Sequence, residues 1–248
     1  MQILEFGGTA VVRLGGSLVS AHLLADKECM VLVDTGLWGI AAELRRVVAE
    51  LGRRPEELRE IVLTHGHLDH AGGAAEIQAW SGARVWLHAA DRKHVEQRVR
   101  YAGAARGCGW LERAGRGVGR LGGWRYRAPE IGGELRDGEL LPFWGGLRVW
   151  HLPGHTPGHC ALVAERAEVA AAGGLVFSGD LFASYGWSVH RPPGFLTRDG
   201  ARAEASLRAL AAARPAGVLP GHYDRMEPAL HARRLGALAG GGGTERRN

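Results

Sequence analysis

Six consecutive residues limit this chain more than any others. His65-Gly66-His67-Leu68-Asp69-His70 gathers three imidazoles and a carboxylate just past a strand-like segment, Glu60 to Leu63, that runs into it through Thr64. Histidine supplies only 12 of the 248 residues, so composition alone does not produce that density. Alternate residues of an extended segment face the same side. His65 and His67 can therefore share a face, while Asp69 and His70 turn with the helix that follows. Gly66 and the pair Gly72-Gly73 let the backbone crowd around whatever is held there. Nitrogen and oxygen donors of this kind suit zinc, and also iron or manganese. The residues alone leave a histidine-rich surface loop as the competing reading.

Strand and helix patterns alternate around this cluster. Strands are expected at 9–14 and 17–24 about a Gly15-Gly16 turn, then at 30–33, 60–63 and 83–88. Helices are expected at 40–51, ended by Gly52, at 74–80, and at 91–101 with Asp91 as its cap. A short helix opens at Pro55. Later strands fall at 147–151, 160–164, 175–178 and 217–219, with a helix at 199–213. The alternation predicts an α/β protein, and hairpins near the start and the middle predict mixed sheets. One domain over 1–239 is expected, with an Arg/Gly-rich insertion at about 102–133 and a flexible tail at 240–248.

Composition removes several classes. Hydrophobic residues make up 46% and charged ones 23%, which excludes a disordered chain. No apolar run approaches the ~18 residues of a membrane span. The first residues show no basic region followed by an apolar one, so a cytoplasmic protein is expected. Cys29, Cys108 and Cys160 are too few for a disulfide framework. The net charge is +5, but Lys27 and Lys93 are the only lysines, and the arginine excess reads as compositional bias. Seven arginines from Arg100 to Arg127 are interleaved with Tyr101, Trp110, Trp124 and Tyr126. They suit a lid gripping an anionic substrate, a track for RNA, or a plain solvated insertion. A small-molecule substrate is expected rather than nucleic acid or a membrane, and a homo-oligomer is left open.

Three later segments repeat one device. Gly154-His155, Gly179-Asp180 and Gly221-His222 each set a donor beside a glycine at the C-terminal end of a strand, the edge where α/β sheets gather ligands. This series, with Asp34-Thr35-Gly36 and Pro153-Gly154-His155-Thr156-Pro157-Gly158, resembles the metallo-β-lactamase-fold hydrolase superfamily. The resemblance implies a four-layer αβ/βα sandwich with two mixed sheets and a metal site at the sheet edge. It implies two divalent ions, zinc foremost with manganese or iron also compatible. His65, His67 and His155 would hold one, Asp69, His70 and His222 the other, and Asp180 would bridge them. A hydroxide shared between the ions would attack an ester, thioester, lactone or phosphodiester, with Asp69 and Asp180 as catalytic carboxylates.

Departures within the superfamily point to its lactonase and glyoxalase II-like branch. True β-lactamases typically carry cysteine or serine where Asp180 stands. Standard glyoxalase II enzymes share Asp180 but add a helical domain, whereas 26 residues follow His222. Alternatives are an iron persulfide dioxygenase using His65, His155 and Asp180, an RNA-processing nuclease, and a metal-stabilised binding module. Tyr185 and His190, in the segment after Asp180, are candidate substrate contacts. Asp34 is expected to support the cluster through hydrogen bonds. His151, His159 and Tyr223 are nearby candidates for orienting roles, and His22, His88, His94 and His231 read as ordinary core or surface residues.

Overall fold

Successive residues of a strand face opposite ways, and this chain uses the alternation to separate three cores. Val12, Leu14, Leu23, Met30 and Leu32 point one way, into a cluster with Leu44, Val47 and Ile77. Their strand neighbours Val11, Leu24, Val31 and Val33 point the other way, against Leu162, Phe177 and Leu219. A third cluster joins Ala161, Val176 and Val218 to Leu207, Leu210, Leu235 and Leu238. The result is helix, sheet, sheet, helix.

The computed structural model describes residues 2–37, 39–97, 127–186 and 188–241. One sheet has seven strands in chain order: β1 (Gln2–Phe6), β2 (Thr9–Gly16), β3 (Val19–Ala25), β4 (Met30–Val33), β5 (Leu58–Val62), β6 (Arg84–His88) and β7 (Ile131–Leu135). Pairing is antiparallel from β1 to β4 and parallel from β4 to β7. The other sheet runs β12 (Ser188–His190), β11 (Leu175–Tyr185), β10 (Cys160–Ala164), β9 (Leu147–His151), β8 (Leu140–Leu141), all antiparallel, with β13 (Val218–Tyr223) parallel to β11. Helices α1 (Ile40–Glu50), α2 (Leu68–Ala71), α3 (Ala74–Ser81) and α4 (Ala89–Gln97) belong to the first half. The second half contributes α5 (Ala167–Ala171), α6 (Gly200–Ala212) and α7 (Pro228–Ala239). This is the four-layer α/β sandwich with mixed sheets that the sequence implied. Among the described residues no helix is long and apolar enough to cross a membrane.

Several local expectations need correction. Gly15 and Gly16 are not the hairpin turn. They pair with Ser20 and Val19 as the last residues of β2, so the chain turns at Ser17-Leu18. Asp91 does not cap α4, which starts at Ala89; its side chain is fully buried inside the helix. β11 continues through Asp180 to Tyr185, and its pairing with β13 shifts register on both sides of Gly179. Likewise His222 lies within β13 and not beyond it. Residues 131–133, assigned to the insertion, begin β7. The rest of the insertion up to 126, with Cys108 and its aromatics, and the tail at 242–248 lie outside the described residues.

Phe177 is 1% exposed and fills the space between the sheets. Phe177→Ala should cost about 3–5 kcal/mol of unfolding free energy, read by urea titration as a lower midpoint at unchanged slope.

Candidate metal centre

The cluster is built where β5 runs out. Leu63 still bonds to Trp86 of β6, its N–H donating to that carbonyl at 3.0 Å. Thr64 is then captured by Asp34 at the end of β4: the Thr64 N–H donates to Asp34 Oδ1 at 2.8 Å, and Thr64 Oγ1 donates to Oδ2 at 2.9 Å. His67 caps the one-turn helix α2 in extended conformation, which sets Asp69 and His70 on the following turn. His155 arrives on the loop after β9, Asp180 from mid-β11, and His222 from β13. Residues from both sheets thus meet at one edge.

Two groups of donor atoms form there, each able to hold a metal ion. One consists of His65, His67 and His155, the other of Asp69, His70, Asp180 and His222, and within each group the atoms lie within 4.8 Å of one another. Asp180 stands between them. Its Oδ2 is 3.4 Å from His155 Nε2, 3.9 Å from His65 Nε2 and 3.1 Å from His222 Nε2, while its Oδ1 is 3.1 Å from His70 Nε2. Asp69 Oδ2 lies 3.5 Å from His222 Nε2 and 3.8 Å from His70 Nε2. All seven residues named from the sequence are brought together.

The opposite ring nitrogens are tethered. His65 Nδ1 meets Thr64 Oγ1 at 3.1 Å, and His70 Nδ1 meets Asp34 Oδ2 at 2.9 Å. His155 Nδ1 faces Thr197 Oγ1 at 3.4 Å, and His222 Nδ1 bonds the Leu18 carbonyl at the hairpin tip. Because Thr64 Oγ1 spends its proton on Asp34, it accepts from His65 Nδ1–H. Each tethered ring therefore turns its other nitrogen inward, where it can coordinate a cation once it carries no proton. His159, fully buried, fixes Asp180 from behind: its Nε2 accepts from the Asp180 N–H at 3.0 Å, and its Nδ1 donates to Leu152 O at 3.0 Å. Burial holds His159 neutral, with its pKa lowered to about 3.

Close approach depends on Gly221. A Cβ there would sit 2.4 Å from Asp180 Oδ1 and 2.6 Å from His70 Cε1. Gly179 combines φ +50° with a Cβ position 2.9 Å from Thr64 Oγ1.

The electrostatics are those of a site built for cations. Burial, reinforced by neighbouring histidines, drives His65 and His67 well below the usual imidazole range. Burial acts in the same direction on His70, but Asp180, Asp34 and Asp69 outweigh it and raise His70 well above that range. Asp180 itself is held far below the usual carboxylate range, because His70 and His222 overcome its burial. His70 Nε2, His155 Nε2 and Asp180 Oδ1 are buried without a hydrogen-bond partner among the described residues. Donor atoms 3.1–3.4 Å apart and out of hydrogen-bond alignment are the arrangement expected of ligands aimed at a shared cation.

The substrate contacts read from sequence divide. Tyr185 is half-buried, and burial together with the nearby charges of Asp180 and Asp224 raises its phenol pKa. His190 is exposed on β12, bonded to Ser188 Oγ at 2.7 Å, and no hydrogen bond or ion pair ties it to the cluster among the described residues. His94, read as ordinary, lies beside the site with its ring centroid 6.2 Å from that of His67. Sequence reasoning also missed Thr64, Thr197, the Leu18 carbonyl and Asp91. Only Thr64, directly before the cluster, carried a local signal.

Comparison with known proteins agrees with this geometry. The family model described as the metallo-beta-lactamase superfamily matches residues 14–222. Hydroxyacylglutathione hydrolase GloC of Haemophilus influenzae is 27% identical over 163 residues, 63% of this chain. The match spans 65% of GloC, just under two thirds of its length. Probable metallo-hydrolase YflN of Bacillus subtilis is 27% identical over 212 residues, covering 81% of this chain and 78% of that protein. A metallo-beta-lactamase family protein from Thermus thermophilus superposes with TM-score 0.69 at 25% identity, covering 94% of this chain and 79% of that one.

Asp34→Ala frees His70 Nδ1 and removes the partner of Thr64. Zinc affinity, measured by competition with a chromophoric chelator, should fall by about 10–100-fold, with far-UV circular dichroism retained.

Proposed function

The chain belongs to the metallo-beta-lactamase superfamily, and on that premise we propose that it is a binuclear metal-dependent hydrolase of small-molecule thioesters and related esters. His65, His67 and His155 would hold one divalent ion, Asp69, His70 and His222 the other, with Asp180 shared between them. The observation that carries the reading is the position of Asp180. Its two oxygens face nitrogens of both donor groups, and among the described residues Oδ1 has no hydrogen bond of its own. Zinc fits the donor set, with manganese or iron as substitutes.

Ions at these positions would supply Lewis acidity, able to lower the pKa of water toward 7 and to polarise the substrate carbonyl. The protein's part is to aim and to move protons. Asp69, whose side chain is 35% exposed, is the carboxylate of the cluster open to a reactant. It takes a proton from the attacking water and returns it as the C–S bond breaks, so that the products are a carboxylic acid and a thiol. Asp180, nearly buried and fixed through its own N–H by His159, stays ionised and keeps the two donor groups in register. Tyr185 lies near enough to feel both carboxylates and faces the substrate. The hydroxyacylglutathione hydrolase named among the relatives makes a hydroxyacylglutathione the first thioester to try.

Thiol release from a hydroxyacylglutathione, followed with a thiol-reactive dye, tests the reading. The wild-type chain should turn over, and His67→Ala and Asp180→Ala should fall to background while keeping their circular dichroism. Full activity in either variant would contradict it.

A further inference from the structure

The three-histidine group is assembled from two sheets. His65 and His67 follow β5 of one, and His155 follows β9 of the other. One backbone bond, from the Cys160 N–H to the Thr64 carbonyl at 2.8 Å, ties the strands beside them, yet the three donor atoms have to agree to within a fraction of an ångström for one ion to use all three. The side chain that spans the gap belongs to neither loop.

Asp91 lies in α4 and is fully buried. Its Oδ2 accepts from the Gly66 N–H at 2.9 Å, between His65 and His67 in sequence, and from Thr156 Oγ1 at 2.6 Å, next to His155. Its Oδ1 accepts from the Gly158 N–H at 2.8 Å. Thr156 is itself fully buried, and Gly158 leaves room that a Cβ would fill, 2.8 Å from Asp91 Cγ. No arginine or lysine pairs with the carboxylate among the described residues. A buried charge held only by N–H and O–H donors is costly, and this one is placed where it joins the two loops. Among the described residues its hydrogen bonds reach none of the Asp69, His70, Asp180 and His222 group, which is supported by Asp34, His159 and Leu18.

We propose that Asp91 is a positioning residue selective for the His65, His67 and His155 group. It clamps the two loops so that the three nitrogens converge, and its negative charge behind that group favours a cation there. The proposal rests on the binuclear reading, in which each donor group takes its own ion.

Titration of the metal-free protein with Co²⁺, followed by visible d–d absorption, resolves the two sites without any assay of activity. Wild type should take up two Co²⁺ per chain. Asp91→Ala should weaken one site by about 10–100-fold and leave the other within about twofold. Thr156→Val, which deletes one donor to Asp91, should shift the same site as Asp91→Ala by a smaller factor, and it reports if Asp91→Ala fails to fold. Equal weakening of both sites, or two unshifted sites, in whichever of these variants folds would overturn the assignment to Asp91. Fewer than two Co²⁺ bound by wild type would instead remove the binuclear premise on which it stands.

Discussion

Five imidazoles and two carboxylates converge on one edge of the sandwich with their acceptor atoms facing one another, and only positive charge relieves that arrangement. Lone pairs 3.1–3.4 Å apart without hydrogen bonds between them repel strongly in a buried setting. Protons on His70 and His222, favoured by the carboxylates beside them, relieve part of it. On the proposed reading divalent ions would relieve the rest and give the donors a partner. The loops, glycines and tethers around the site can each be understood as what it takes to hold this set of groups in place.

Asp34 is the clearest such tether. It adopts φ +59°, an uncommon conformation for a residue with a side chain. In return its carboxylate reaches His70 directly and His65 through Thr64. One buried acid at the end of β4 thus orients a histidine in each donor group. The hairpin between β2 and β3 acts from the other side. Winding two residues past Gly15-Gly16 puts Leu18 at the tip, side chain 83% exposed, with its carbonyl on His222. The antiparallel half of the first sheet therefore contributes through its backbone, and the parallel half through its side chains.

Much of the site was legible in the sequence because donors must be side chains and because glycines must flank them for close approach. His65, His67, His70, Asp69, His155, Asp180 and His222 all announced themselves in this way. What stayed hidden is of a different kind. A carbonyl such as that of Leu18 carries no residue signature. An aspartate at a helix start is explained by capping, so nothing local marked Asp91 as a link between loops, one of them 65 residues away. Proximity in sequence also misled. β12 folds back antiparallel on β11, so that His190 pairs opposite Ala183 and its side chain faces solvent. In the fold, β7 was masked by its glycines, which are there because the Trp86 ring lies where a Gly133 side chain would be.

The account stands most directly on how many ions the protein carries. Elemental mass spectrometry on protein purified without added metal should find about two divalent ions per chain, mainly zinc or manganese, falling to about one or none when Asp180 is replaced by alanine. A single iron per chain, unchanged by loss of His222, would contradict it, because the second donor group would then have no ion to hold.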